Sequence, residues 1–261
     1  MILTRDTLRR MAARRRLNLG ALEKEYVLDL VLRSLSAHET LREILVLKGG
    51  TALHRFYLGT RLSLDLDFTA TKPVTLDEVQ PALEITDVGA TIAEYQPFHD
   101  ALTIRRLRYV GPLGHPNSVK VDFSFREPLL LPPVDLISQA PYGDPFPLRV
   151  MQLAEIAAEK IRALSMREAT RDVYDLWAIA TRQLVDARVV AQLVPHKMET
   201  VHLALNLETL ERHLGAVEAV WVSELRLLMA DVPGFSQVAG ALRPWLSAIL
   251  ARVTTSGEKT P

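Results

Sequence analysis

The sequence predicts an α+β protein, with a sheet-bearing first part and a helical second part. Three observations carry this. Short β-prone runs alternate with helical stretches up to about residue 126, a proline-rich passage from Pro128 to Pro147 interrupts the pattern, and from Leu148 onward the pattern is mostly helical. The expected division is residues 1–147, residues 148–253 and a polar tail, 254–261, expected to be disordered. The 261 residues allow one or two domains, and no internal repeat is visible.

Taken in order, the elements begin with a helical lead-in. Glu43 to Leu47 (EILVL) is a short β-prone segment, followed by Gly49 and Gly50, where the backbone can turn and approach a ligand closely. Thr51 to Tyr57 has helical character. A strand, a glycine turn and a helix start aim free backbone N–H groups and the positive end of the helix dipole at one spot, which suits a phosphate. Ser63 to Phe68 alternates polar and apolar residues, so in a strand Ser63, Asp65 and Asp67 share one face while Leu64, Leu66 and Phe68 take the other. Two carboxylates roughly 7 Å apart on one face repel unless a cation lies between them, and Mg²⁺ binds through one or two carboxylates plus substrate phosphates. Asp65 and Asp67 could instead be the solvent face of an edge strand; the glycine turn upstream favours the metal.

Leu102 to Val110 and Ser118 to Phe125 read as an antiparallel pair around a loop that holds Gly111, Pro112, Gly114 and Pro116. Asp122 alternates with apolar residues on the second run, so it is expected on a strand beside the first acids. Three acids so placed suit a site for one or two Mg²⁺ ions. Expected helices are Met151 to Ser165, Asp172 to Thr181, Ala187 to Leu193, Val201 to Leu214, Trp221 to Met229 and Phe235 to Val253. Lys160 falls within the apolar stripe of the first of these, where a lysine either snorkels to the rim or is held by an anion. Asp172 and Asp175 share a face of the next helix, with capping or a dipole contact as the plain alternative for Asp172.

At these residues the chain resembles the AbiEii/AbiGii-type nucleotidyltransferase toxins of the DNA polymerase β-like superfamily. The resemblance rests on Leu22-Glu23-Lys24-Glu25-Tyr26-Val27, on Lys48 to Leu53 followed by Arg61, Ser63, Asp65 and Asp67, on Ala157-Ala158-Glu159-Lys160-Ile161, and on Arg171-Asp172-Val173-Tyr174-Asp175-Leu176-Trp177, in the family's order over roughly residues 20 to 180. Leu64 and Leu62 depart from the family pattern, but neither supplies a ligand. The resemblance implies a nucleotidyltransferase lobe with a mixed sheet flanked by helices, a helical lobe contributing to the cleft, and Mg²⁺-dependent transfer from an NTP to an acceptor hydroxyl. Asp65, Asp67 and Asp122 would bind metal. Lys48, Gly49, Gly50, Thr51, Arg61, Ser63 and Lys160 would hold the nucleotide, with Asp172 and Asp175 also catalytic. It further implies a toxin of a toxin–antitoxin or phage-abortive-infection pair, with a cognate antitoxin and with tRNA as acceptor. A protein hydroxyl, including Ser63 itself, and a non-catalytic nucleotide-sensing module are the alternatives.

Composition bounds the rest. With 31 basic and 31 acidic side chains the chain has no global field to attract nucleic acid, so RNA contacts must come from local patches. The candidates are Arg105, Arg106 and Arg108 on the hairpin and Arg9, Arg10, Arg14, Arg15 and Arg16 near the N-terminus. On a regular strand Arg106 and Arg108 share a face and Arg105 takes the other. The chain has no cysteine, hence no disulfide or cysteine–zinc site, and its seven histidines show no ligand spacing. No apolar run reaches the roughly 20 residues of a membrane span, and the expectation is a soluble bacterial cytoplasmic protein.

Overall fold

The structure is a computed structural model, and it describes residues 3–139 and 142–257, the side chains of 254–257 excepted. It divides into two compact units, the first comprising the chain up to Met151 together with Leu227–Ala230, the second Gln152–Arg226 and the chain from Asp231 onward. The division falls at Met151 rather than 147 because the strand ending at Val150 belongs to the sheet.

The first unit opens with helices α1 (Arg5–Arg15), α2 (Leu19–Ala37) and α3 (Glu39–Ile44). Thr4 and Asn18 cap the first two, each side chain accepting a hydrogen bond from a backbone N–H three residues on. Strand β1 (Leu45–Lys48) leads directly into α4 (Gly49–Ala52), which continues as a π-helical turn over Leu53–Leu58 and stops at Gly59, φ +66°. Strand β2 (Asp65–Ala70), helix α5 (Leu76–Leu83) and strands β3 (Thr91–Pro97), β4 (Ala101–Val110), β5 (Pro116–Ser124), β6 (Val134–Ser138) and β7 (Phe146–Val150) follow.

The strands form one seven-stranded mixed sheet in the order β3-β4-β5-β2-β1-β7-β6. β2 runs parallel to β5 and antiparallel to β1, and β1 pairs in parallel with β7. The acid-bearing strand β2 is therefore central, not an edge. One sheet face carries Leu47, Leu66, Phe68, Val121 and Phe123, all buried, with Phe68 and Phe123 neighbours in register and stacked at 5.5 Å. The proline-rich passage expected as connector contains β6 and the start of β7, and Pro147 sits within β7. Burial of alternate residues Phe146, Leu148 and Val150 against the sheet outweighs the local breaker signal.

The second unit consists of α6 (Leu153–Met166), α7 (Thr170–Thr181), α8 (Ala187–Glu199), α9 (Leu207–Ala216), α10 (Trp221–Leu225) and α11 (Phe235–Gly257). Its apolar stripes pack α8 on α6 and α11 on α7 and α8. The helix expected from Val201 starts only at Leu207, where Asn206 accepts from Thr209 N, and the one expected to reach Met229 ends at Leu225. Helix α11 extends to Gly257, into the segment expected as a tail; residues 258–261 lie outside the described residues.

Candidate active site

Strand pairing in the first unit lines up the expected residues. Asp67 of β2 is the register partner of Lys48 on β1 and of Asp122 on β5, and Asp122 is the partner of Thr103 on β4. Directly paired residues share a face, so Thr103, Asp122, Asp67 and Lys48 form one row across the sheet, on the side opposite the apolar layer. The next row pairs Asp65 with Lys120. Asp65, Asp67 and Asp122 are half-buried while Leu66, Val121 and Phe123 are buried, which is the alternation expected from the sequence.

The glycine turn closes onto this row. Gly49 has φ +68°, and a Cβ added there would stand 2.5 Å from Asp67 Oδ2. A Cβ on Gly50 would stand 2.7 Å from Ser63 Oγ and 3.1 Å from the Arg61 guanidinium. Only glycine allows the turn to lie so close to both side chains. The Thr51 hydroxyl donates to the Asp65 carbonyl at 2.6 Å, and Ser63 Oγ donates to Asp65 Oδ1 at 3.2 Å. Arg61 and Ser63 are buried, and Arg61 Nη1 donates to the Leu62 carbonyl at 2.9 Å. Lys48, Gly49, Gly50, Thr51, Arg61, Ser63, Asp65 and Asp67 are thus brought together.

Asp122 is placed beside Asp67 by its backbone, but its carboxylate accepts from Thr103 Oγ1 at 2.6 Å and from Lys120 Nζ. Among the described residues no group of three His, Cys, Asp or Glu side chains is gathered for a metal ion. The donors fit a divalent cation that Asp65 and Asp67 would hold and substrate phosphate oxygens would complete, beside the Gly49 turn that lies against Asp67. Lys120 and Thr103, which were not anticipated as site residues, become visible only through the pairing of β4 and β5 with β2.

Lys160, Asp172 and Asp175 come together inside the second unit. Lys160 Nζ lies 2.6 Å from Asp172 Oδ1 and 2.9 Å from Asp175 Oδ2, and Arg167 Nη2 lies 2.8 Å from Asp172 Oδ2. Burial works against the Asp172 charge, yet Lys160 and then Arg167 hold its carboxyl below the ordinary range. The lysine in the apolar stripe is therefore kept by two carboxylates of the chain itself. A second buried lysine, Lys197, is held 2.8 Å from Glu155 and 3.2 Å from Glu159.

The hairpin arginines depart from simple alternation. A register shift in β4 between Ile104 and Leu107 leaves Arg105 and Arg106 both exposed, with Ile104, Leu107 and Tyr109 buried. The bulge turns Arg105 outward with Arg106 and Arg108 instead of to the opposite face. Arg108 pairs with Ser118, which shares the face of Lys120 and Asp122 by strand periodicity, and Arg106 and Arg108 line an open depression of about 400 Å³ with Ser118. Arg106 is 3.1 Å from Glu94, and Arg105 donates to Gln96.

Comparison with known proteins bears on the fold and the family. The structure is similar to the nucleotidyltransferase toxin MenT4 from Mycobacterium tuberculosis H37Rv, with 26% identity, a TM-score of 0.76 and coverage of 95% of this chain and 90% of that one. It shares its fold with a putative nucleotidyltransferase from H. pylori (18% identity, TM-score 0.61, 92% and 98% covered) and with JHP933 from Helicobacter pylori (21%, 0.55, 93% and 97%). No curated protein matches the sequence. Among the described residues no helix is long and apolar enough to cross a membrane. The family model described as "Nucleotidyl transferase AbiEii toxin, Type IV TA system" matches residues 31–240, and the chain belongs to that family of nucleotidyltransferase toxins.

Proposed function

We propose that this toxin acts in the bacterial cytoplasm, transferring a nucleotide from an NTP to an acceptor hydroxyl at the 3′ end of tRNA and so blocking translation. The observation that carries the reading is the closure of the Gly49–Gly50 turn onto Asp67 and Ser63, beside a row of carboxylates; the backbone N–H groups of that turn would hold the phosphate. Asp65 and Asp67 would hold Mg²⁺, which when bound neutralises charge on the transferring phosphoryl group. Lys48, on the same row, contributes a fixed positive charge on the triphosphate, and the turn orients it. The acceptor oxygen attacks the α-phosphorus, the bond to the β-phosphate oxygen breaks, and pyrophosphate leaves with its electron pair. Asp122 takes the acceptor proton, with Thr103 and Lys120 fixing its orientation. The exposed arginines of β4, on the face of Asp122, support an RNA acceptor. Membership in a type IV family implies a cognate antitoxin as partner.

The test is incubation of the purified protein with each labelled NTP, Mg²⁺ and total tRNA, beside Asp65→Asn and Asp67→Asn variants. Labelled tRNA with wild type and none with either variant is the expected result. Wild-type activity in the variants would remove the carboxylates from the chemistry, and label on protein instead of RNA would replace the acceptor. A self-modified Ser63 is the specific protein alternative, favoured by the 3.2 Å hydrogen bond from its hydroxyl to Asp65. Its burial to 3% exposure disfavours attack in this conformation.

A further inference from the structure

A second cavity in the first unit, of about 460 Å³, is lined by Arg14 and Arg15 of α1, Glu25 of α2, and His54 and Arg55 of the π-helical turn. None of these residues belongs to the acidic row. The one carboxylate in the lining is fully engaged: Glu25 lies 3.0 Å from Arg15 Nη1 and 2.8 Å from His54 Nε2, and accepts from the Tyr142 hydroxyl at 2.5 Å. Behind the lining, Asp29 is held by Arg55 Nη1 at 2.7 Å and Arg33 Nη2 at 3.2 Å. Both negative charges are thus balanced by groups of the chain itself.

Among the described residues, two polar atoms of the lining side chains have no hydrogen-bond partner. The Arg55 side chain is only 6% exposed, its Nη1 serves Asp29 and Ser138, and its Nη2 is buried without a hydrogen bond; His54 Nδ1 is in the same position. A charged donor left buried and unsatisfied bears its full desolvation penalty, and such groups are otherwise satisfied by water, an ion or a ligand. π-Helical turns recur at functional sites, and this one places both orphan atoms on successive residues. The charged and polar groups that line the cavity besides Glu25 are three guanidiniums, an imidazole and the Gln139 amide.

We propose that this cavity binds a phosphoryl group through Arg14, Arg15 and Arg55, with His54 completing the contact, at a site separate from the acidic row. Guanidinium N–H groups match phosphate oxygens in geometry and charge. The volume admits the sugar that carries the phosphate as well. A free nucleotide and an RNA backbone present the same chemistry. The proposal does not depend on the transfer reaction.

The His54 imidazole resonances of the full chain report on the site. In the absence of divalent cations, inorganic phosphate, AMP and a short ribo-oligonucleotide are titrated in turn, and the resonances should shift saturably. Arg55→Lys keeps a cation for Asp29 but removes the orphan Nη2, and Arg14→Glu reverses an exposed charge of the lining. Each should weaken the response at least tenfold, while Lys48→Ala leaves it unchanged. A tighter response to AMP than to the oligonucleotide identifies a free nucleotide, and the reverse order an RNA backbone phosphate. Resonances that do not move with any of the three, or Arg14→Glu and Arg55→Lys proteins that respond as wild type does, overturn the proposal.

Discussion

Gly49 and Gly59 have nearly the same left-handed backbone, φ +68° and +66°, but a Cβ on Gly49 would strike Asp67 whereas a Cβ on Gly59 would meet nothing within 4 Å. The pair separates backbone strain from site geometry. Gly59→Ala should cost about 1 kcal/mol of stability and leave transfer intact, whereas Gly49→Ala should incur the same strain and also displace the Asp67 carboxylate. Transfer in Gly49→Ala is expected to fall about 100-fold, as a misplacement of about 1 Å near the chemistry does. Equal activity in the two variants would show that the turn does not position the acid. Lys160 makes the complementary point about charge. Removing it takes the shared cation from two buried aspartates, of which Asp172 keeps Arg167, so Lys160→Ala should lose about 3 kcal/mol in denaturant unfolding. A triphosphate role for Lys160 adds a second expectation, weaker calorimetric affinity for NTP with unchanged affinity for the unphosphorylated nucleoside.

At the scale of elements, the β4–β5 hairpin joins the acidic row to the basic surface. Its loop is anchored from α2, where the buried Glu23 accepts from Leu113 N at 2.7 Å and a Cβ on Gly111 would lie 2.6 Å from the same carboxylate oxygen. The acidic-basic-acidic triplet of α2 thus has a structural role at both acids, Glu23 on the hairpin loop and Glu25 on His54, Arg15 and Tyr142. The bulge at Arg105 and Arg106 then sets the hairpin's arginines outward on the face of Asp122. Changing Arg106 and Arg108 to Glu is expected to weaken tRNA binding and to lower its salt slope by about 1 for each phosphate that is no longer neutralised, while NTP affinity stays within about twofold. Filter binding across a salt series measures it, and an unchanged slope removes the hairpin from the RNA interface.

For the whole molecule, zero formal net charge means that long-range attraction cannot supply affinity, and acid stability is set by particular buried groups. Burial alone would raise the Glu25 carboxyl, but His54, Arg15 and Tyr142 outweigh it and bring it to about 2 from an ordinary 4.5. A carboxyl depressed in the folded state contributes stability above its unfolded value and loses it as pH falls through the folded value. The shift corresponds to roughly 3 kcal/mol, fully present above about pH 5 and lost between there and about pH 2. Asp172 is shifted in the same direction and adds to the loss. Unfolding free energies measured from pH 6 to pH 2 should therefore fall more steeply for wild type than for Glu25→Gln, and parallel curves would show that Glu25 is not the group responsible.

The sequence by itself determined the features that are local. Strand, glycine turn and helix follow one another within Leu45–Leu58, the alternation of Asp65 and Asp67 with Leu66 follows from the period of a strand, and the apolar stripe of Leu153–Met166 follows from the period of a helix. Each of these signals spans a few residues, within reach of backbone geometry and side-chain patterning alone. What the tertiary structure decided is pairing at a distance. Strand β7 forms among prolines because β1, about 100 residues earlier, gives it a partner, and β3 escapes notice because most of its side chains are exposed at a sheet edge. The neighbours of Asp122 depend on which residue of β4 the bulge brings opposite each residue of β5. The Glu25–His54 contact spans 29 residues and the Asp29–Arg55 contact 26, so burial and orphan donors around the second cavity exist only once α2 and the π-helical turn are packed together. Lys160 shows the same limit: the stripe placed it on a buried face, but only the packing of α7 against α6 showed that two aspartates hold it there.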